Sequence, residues 1–332
     1  MSPFILHFRL CLDCSRYMKA CGFQLGVVGI IFFLGVFSCN SRPKDGLTDT
    51  YTSGTIRVAV DESFQPILQE EIDVFEGLFP LTEIRPHYTT EVEVINMLLK
   101  DSVRVAIATR TLSPKEMNSF HSRKFFPREL KMAIDGLALI INRQNPDSLI
   151  SVRDIQRILT GEVKTWKDIY HTSRLKNITL VFDNQNSSTV RFAIDSICHG
   201  KELSSNIKAL HTNQQVIDYV ARTPEAIGVI GVNWLGNRSD TTNLSFRNEI
   251  KVMSVSASNT PTLGNSYKPY QAYLFYGDYP LTRTMYVLLN DPRNGLPWGF
   301  ASFLTSDRGQ RIILKSGLVP VTQPVRIVTI KE

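Results

Sequence analysis

From Thr55 onward the chain alternates short apolar strands with amphipathic helices, a pattern that restricts it to an α/β architecture. Ile56, Val58 and Val60 alternate with Arg57 and Ala59 and predict a first strand, which ends at Asp61-Glu62-Ser63-Phe64. Pro66 stands where a first-turn proline belongs, and Leu68, Ile72, Phe75 and Phe79 recur at helical spacing, so a helix comes next at once. A helix through Val94, Ile95 and Leu98 precedes a second strand through Val103, Val105 and Ile107, which ends at Thr109-Arg110. Ser113-Pro114-Lys115-Glu116 has the form of a capping box, and GLALIIN at 136–142 reads as a buried strand. Ser151 opens another helix with Ile155, Ile158 and Leu159 facing a core. Ile178, Leu180 and Phe182 form a strand running into DNQNSST and the helix VRFAIDSI. AIGVIG at 226–231 and YVLLN at 286–290 are further strands, and RGQRIILKSG at 308–317 is a closing helix. The 332 residues, at roughly 150 per domain, make two lobes with a cleft the expected shape.

Ahead of this pattern lies a charge-free apolar stretch, GFQLGVVGIIFFLGVFS at 22–38, which comes after Lys19 and stops at Cys39. Its 17 residues are short for a membrane span, which needs about 20. Val36-Phe37-Ser38-Cys39 resembles the bacterial lipobox, in which a small residue precedes an acylated cysteine. Residues 1–38 are therefore expected to be a signal peptide and Cys39 the lipidated residue; the alternative is an uncleaved N-terminal anchor, and both export the rest. Met18 makes the more ordinary start, because residues 1–17 carry Asp13 and two extra cysteines in front of the n-region. Residues 39–54 are polar with Pro and Gly, which suits a flexible tether.

Removing residues 1–38 takes Arg9, Arg16 and Lys19 from the 37 basic residues and Asp13 from the 31 acidic ones, leaving 34 against 30. So mild an excess is weak support for nucleic-acid binding, and an exported protein meets no genome. The basic segment HSRKFFPRELK at 121–131 reads as solvated surface before it reads as a docking patch. Of the cysteines only Cys39 and Cys198 remain, and with Cys39 acylated no disulfide is left; Cys198 sits in an apolar helical context as a buried thiol.

In open α/β sheets ligands bind beyond the carboxyl ends of strands. Three such junctions offer hydroxyls: residues 61–64, residues 108–111 with Thr109, and Asp183 through Thr189. Ser63 or Thr109 alone is explained as a cap, whereas Ser187-Ser188-Thr189 supplies two hydroxyls more than a cap needs. Together they describe an oxyanion pocket. No nucleophile elbow, zincin motif, dinucleotide fingerprint or P-loop appears, and the histidines at 87, 121, 171, 199 and 211 lack ligand spacing, so neither a metal nor a cofactor is implied. Trp166 and Trp234 suit core packing, or stacking on a ring.

The segments VAVDESF, VRVAIATRTLSPKE, DGLALIINRQNP, ILTGEVKTWKDI, DNQNSSTVRF, EAIGVIGVNWL, YPLTRTMYVLL and SDRGQRIILKSGLVPV resemble, in order from about residue 55 to 325, the phosphate-binding proteins of bacterial phosphate ABC transporters in their lipoprotein form. The resemblance implies a type II periplasmic-binding fold, two α/β lobes joined by crossover hinge strands with a ligand cleft between them. On that pattern lobe I is discontinuous, at 55–134 and 268–332, and lobe II spans 135–267. The resemblance also implies phosphate ligands at Ser63, Phe64, Thr109, Ser187, Ser188 and Thr189. Where the family has an aspartate this chain has Arg110, and where the family has an arginine it has Asp183. The two are expected to form a cross-cleft pair of reversed polarity, Arg110 donating to the anion and Asp183 accepting the proton of hydrogen phosphate, with Asp61 or Glu62 as a substitute acceptor.

The resemblance and the apolar leader together imply a monomeric periplasmic lipoprotein, anchored to a membrane at Cys39, that catalyses nothing and hands inorganic phosphate or another tetrahedral oxyanion to an ABC transporter permease. The alternatives are an exported oxyanion sensor or interaction lipoprotein outside transport, and an enzyme with Asp183 or Glu62 as general acid.

Overall fold

A computed structural model describes residues 49–205, 207–236 and 245–324; the signal segment and Cys39 lie outside the described residues. The body begins at Asp49, six residues before Thr55. Asp49 does not belong to a free tether: its carboxylate accepts from the Leu296 N–H at 3.1 Å and from Arg293 at 3.2 Å.

Strand β1 (Gly54–Asp61) lies in parallel between β2 (Thr82–Thr89) and β3 (Val105–Ala108). The 15-residue β4 (Arg128–Asn142) carries the chain onward, to β5 (Leu149–Ser151), β6 (Thr179–Phe182), β7 (Lys208–Ala209), β8 (Ala226–Gly231), β9 (Ile250–Val252), β10 (Ser254–Ser256), β11 (Thr282–Leu289) and β12 (Val319–Pro320). The main sheet has the order β2-β1-β3-β11-β4-β8-β6-β7. Strand β4 belongs to both halves of it: residues 128–136 pair antiparallel with β11, and residues 137–141 pair antiparallel with β8. Strands β5 and β10 pair separately in parallel.

The helices are α1 (Gln65–Leu78), α2 (Glu91–Leu99), α3 (Pro114–Ser122), α4 (Val152–Leu159), α5 (Ser188–Phe192), α6 (Asn213–Arg222), α7 (Gln271–Tyr276), α8 (Leu296–Leu304) and α9 (Asp307–Lys315). Ser113 and Glu116 form the expected capping box, and Ser151 caps α4. Trp166 and Cys198 are fully buried.

Three differences from the sequence expectation have physical causes. Strand β2 escapes the periodicity because Pro86 interrupts its pattern; it is the edge strand, where a missing N–H costs no ladder bond. Strand β4 starts at Arg128, inside the basic segment read as surface, and β11 starts at Thr282, four residues before YVLLN. Both extensions put a charged residue inside a strand, Asp135 and Arg283, and charge hides strand periodicity.

Helix α1 buries Ile67, Leu68, Ile72 and Phe75, and Phe75 meets Phe300 and Phe303 of α8 at 5.2 Å between ring centroids. Glu71 lies on the same buried face with neither carboxylate oxygen hydrogen-bonded. Burial, reinforced by the nearby Glu70, lifts its pKa to about 9, so it is neutral at physiological pH. A raised acid weakens the fold progressively between its unfolded value of 4.5 and about 9, because the unfolded chain gives up the proton first. Glu71→Met should therefore raise Tm, and the gain over wild type should widen from about pH 5 to about pH 8 in thermal unfolding.

Candidate functional site

The end of β1 turns sharply into α1. Asp61 Oδ1 accepts the Ser63 N–H at 2.9 Å, closing a 3-10 turn over Glu62–Phe64 that buries Ser63 and Phe64. The Ser63 carbonyl then accepts from Asn233 Nδ2 at 2.8 Å and Trp234 Nε1 at 2.9 Å, both in the turn after β8. Trp234 thus packs against the core and also donates a hydrogen bond into the site. Gly231 has a steric reason: a Cβ there would lie 3.1 Å from Asn233 Nδ2, 3.3 Å from Arg283 Nη2 and 3.4 Å from the Ser63 carbonyl.

The third junction faces this turn. Ser187 caps α5, accepting from the Val190 N–H and donating to the Asn184 carbonyl at 2.7 Å, and Thr189 donates to Asp183 Oδ1 at 2.6 Å. Asp183 Oδ2 accepts from Asn213 Nδ2 at 3.3 Å, and the same amide donates to Glu62 across the cleft. Ser188, the hydroxyl left over from capping, lies 3.3 Å from the Ser63 hydroxyl. Sequence elements 125 residues apart meet here.

The Ser188 hydroxyl leads from there to Arg283. Residue 283 of β11 stands directly opposite Asp135 of β4, and its Nε donates to Asp135 Oδ2 at 2.8 Å. Its Nη1 donates to Ser188 Oγ at 2.7 Å, and the guanidinium lies 5.0 Å from the Phe64 ring centroid, a cation–π contact. Arg283 Nη2 is buried without a partner. So is Asp61 Oδ2: Ser188 is near enough to pull the Asp61 pKa down, but no donor reaches hydrogen-bond geometry. A buried donor and a buried acceptor thus stand open beside two hydroxyls.

Burial raises Asp61 to about 6, opposed by the charge of Arg283 and assisted by Glu91. Burial raises Glu62 to about 7, assisted by Asp183 and opposed by the Asn213 hydrogen bonds.

A second contact crosses the cleft at its rim. Glu91, the first residue of α2, accepts from the Thr109 N–H and hydroxyl at 2.7 Å each, and from the Arg191 guanidinium. Arg191, on α5, also donates to Thr109 Oγ1 at 2.7 Å. Burial alone would raise Glu91, but the bonds from Arg191 and Thr109 outweigh it and hold its pKa below the ordinary value.

The expected pairing of Arg110 with Asp183 is not formed. Arg110 makes a two-pronged ion pair with Glu116, at 2.7 and 2.8 Å, so the capping-box glutamate engages it on its own side of the cleft. Asp183 keeps both oxygens on Thr189 and Asn213. The structure therefore brings Ser63, Phe64 and Ser188 together, joins Thr109 to Arg191, ties Ser187, Thr189 and Asp183 to one another, and leaves Arg110 apart. Sequence reasoning passes over Arg283, Glu91 and Asn213. The signal for Arg283 is an arginine inside an apolar strand, matched by Asp135 inside another.

Residues 47–308 match the PBP superfamily domain, and the chain belongs to that superfamily. It is 21% identical over 296 residues to the phosphate-binding protein PstS of Pseudomonas aeruginosa, covering 84% of this chain and 87% of the relative. Its fold is similar to that of a phosphate ABC transporter substrate-binding protein of Clostridium perfringens solved with bound phosphate, at TM-score 0.68 and 19% identity over 81% of this chain and all of that one. An ABC-type phosphate transport receptor of Vibrio cholerae superposes at TM-score 0.60 and 18% identity, over 80% of this chain and all of that one. The architecture is thus the type II periplasmic-binding fold, with β4 as one of its crossover strands.

Arg191→Met strands Glu91 as a buried, unmatched carboxylate. It should cost about 1–3 kcal/mol in denaturant unfolding near neutral pH, less than a fully buried pair because Arg191 keeps a third of its side chain in solvent. A lowered acid stabilises above its unfolded pKa of 4.5 and loses that contribution as pH falls through its folded value, so the cost should shrink in acid.

Proposed function

We propose that this protein is an extracytoplasmic solute-binding lipoprotein that captures inorganic phosphate in its cleft and delivers it to an ABC transporter. The observation that carries this reading is the unpartnered pair Arg283 Nη2 and Asp61 Oδ2 beside Ser63 and Ser188. Hydrogen phosphate both accepts and donates hydrogen bonds, so it satisfies a buried arginine and a buried carboxylate together; sulfate offers no proton and leaves the carboxylate facing an anion. The names of the relatives, phosphate-binding and phosphate transport proteins, agree with that chemistry.

Arg283 takes the anion-binding role first expected of Arg110, and Asp61 takes the accepting role first expected of Asp183, whose oxygens are engaged. Ser63, Phe64, Ser188 and Thr109 remain ligand or lining groups, with Ser187 and Thr189 holding the Asp183 loop in place. The Ser63 and Ser188 hydroxyls touch, so a ligand enters only when the two lobes part, hinging on β4 and on the return into β11. The lobes correspond to 55–134 with 268–332, and to 135–267. Affinity comes from charge-assisted hydrogen bonds in a dry site. No nucleophile with its own base faces the cleft among the described residues, which favours binding without catalysis. Cys39 is the lipid attachment site, holding a periplasmic monomer near its permease; among the described residues no helix is long and apolar enough to cross a membrane.

Isothermal titration of the protein from Asn40 onward, stripped of anions, should show tight binding of phosphate and arsenate and no competition by sulfate. Asp61→Asn should reduce the preference for phosphate over sulfate by roughly ten- to a hundredfold. Heat with none of the three anions would overturn the reading.

A further inference from the structure

The cleft carries more carboxylate than its two arginines can balance. Arg283 is matched by Asp135, and Arg191 by Glu91. Asp61, Glu62 and Asp183 remain, and none of them makes an ion pair of its own among the described residues. Asp61 is 1% exposed and Asp183 2% exposed.

Two of these acids share one hydrogen-bond donor. Glu62 lies in the turn after β1 and Asp183 after β6, and the single Asn213 amide nitrogen donates to both. The charged groups facing Glu62 are Asp183 and Asp61; those facing Asp61 are Arg283, Glu91 and Glu62. Burial, with Asp183 and Asp61 as neighbours, raises Glu62 to about 7, and among the described residues it makes no ion pair. Among the described residues no grouping of three or more His, Cys, Asp or Glu is disposed to hold a metal ion.

A ligand that brings protons relieves the carboxylate excess. A doubly charged oxyanion adds charge to the uncompensated acids, whereas a singly charged one with two hydroxyls offers them donors. Building on the phosphate reading above, we infer that the cleft selects dihydrogen phosphate over its doubly charged form, with Asp61 Oδ2 accepting a P–OH, Arg283 Nη2 donating to an unprotonated oxygen, and the neighbouring Glu62 and Asp183 carboxyls disfavouring a second negative charge. Above the second ionisation of free phosphate, near neutrality, each binding event then takes up one proton. The proton comes from the buffer and appears on the bound phosphate, and no other bond is made or broken.

The test is phosphate titration calorimetry between about pH 6 and about pH 8.5, in buffers of differing ionisation enthalpy, on wild type and on Asp61→Asn/Glu62→Gln. The wild-type Kd should rise towards tenfold per pH unit above about pH 7, with proton uptake approaching one per phosphate. The double variant, which replaces two acids by amides that can donate to a dianion, should flatten that slope and bind more tightly than wild type at the alkaline end. Phosphate binding that is unchanged or stronger at high pH, with no proton uptake, would overturn this inference and leave the phosphate reading intact. A double variant weakened equally at every pH would overturn the assignment of the selection to these residues. No phosphate binding at any pH would instead overturn the reading on which the inference rests.

Discussion

The ion pair between Arg283 and Asp135 is the constraint around which the cleft is organised. Both side chains are almost wholly buried, on adjacent strands in direct register, at the point where β4 passes from one half of the sheet to the other. Removing two charges from water costs several kcal/mol each, and their attraction offsets that only with good geometry and further partners. Asp135 supplies one partner and Ser188, from the other lobe, a second at 2.7 Å, while the Phe64 ring covers the guanidinium face. Losing either charge would strand the other at a cost of about 3–5 kcal/mol. One guanidinium nitrogen stays open, and the remaining geometry is set by where it points.

Around it the two lobes make different kinds of contact. At the floor, Ser63 and Ser188 meet as neutral hydroxyls and the Ser63 carbonyl is clamped by Asn233 and Trp234. At the rim, Arg191 reaches across to Glu91 and Thr109. Beside the floor, the Asn213 amide donates to both Glu62 and Asp183, and Asp183 with burial raises the pKa of Glu62. The rim contact thus carries opposite charges across the cleft, whereas the contact beside the floor joins two acids through one amide.

Much of this is legible in the residues. The strand and helix order, the Ser113 capping box, the cap at Ser151 and the convergence of Ser63 with the Ser187-Ser188-Thr189 run come from periodicity and from hydroxyls at strand ends. Charge placed inside regular structure is what escapes. Arg283 and Asp135 sit within apolar strands, Glu71 sits on the apolar face of α1, and Glu91 opens a helix while facing another lobe. Periodicity assigns such positions to solvent, and only the three-dimensional register shows their partners. Arg110 misleads in the opposite direction. Its place along the chain suggests a cross-cleft partner, yet Glu116, six residues on and itself the capping-box glutamate, is the nearer carboxylate. Local pairing costs less chain entropy than closure across a cleft.

An oxyanion held between Arg283, Asp61, Ser63 and Ser188 would be located directly, independent of any affinity, by anomalous diffraction from crystals grown with arsenate. A single arsenic peak is expected within hydrogen-bonding reach of Arg283 Nη2, Asp61 Oδ2 and the two serine hydroxyls. A peak held instead by Arg110, or no peak in the cleft at saturating arsenate, would contradict that placement.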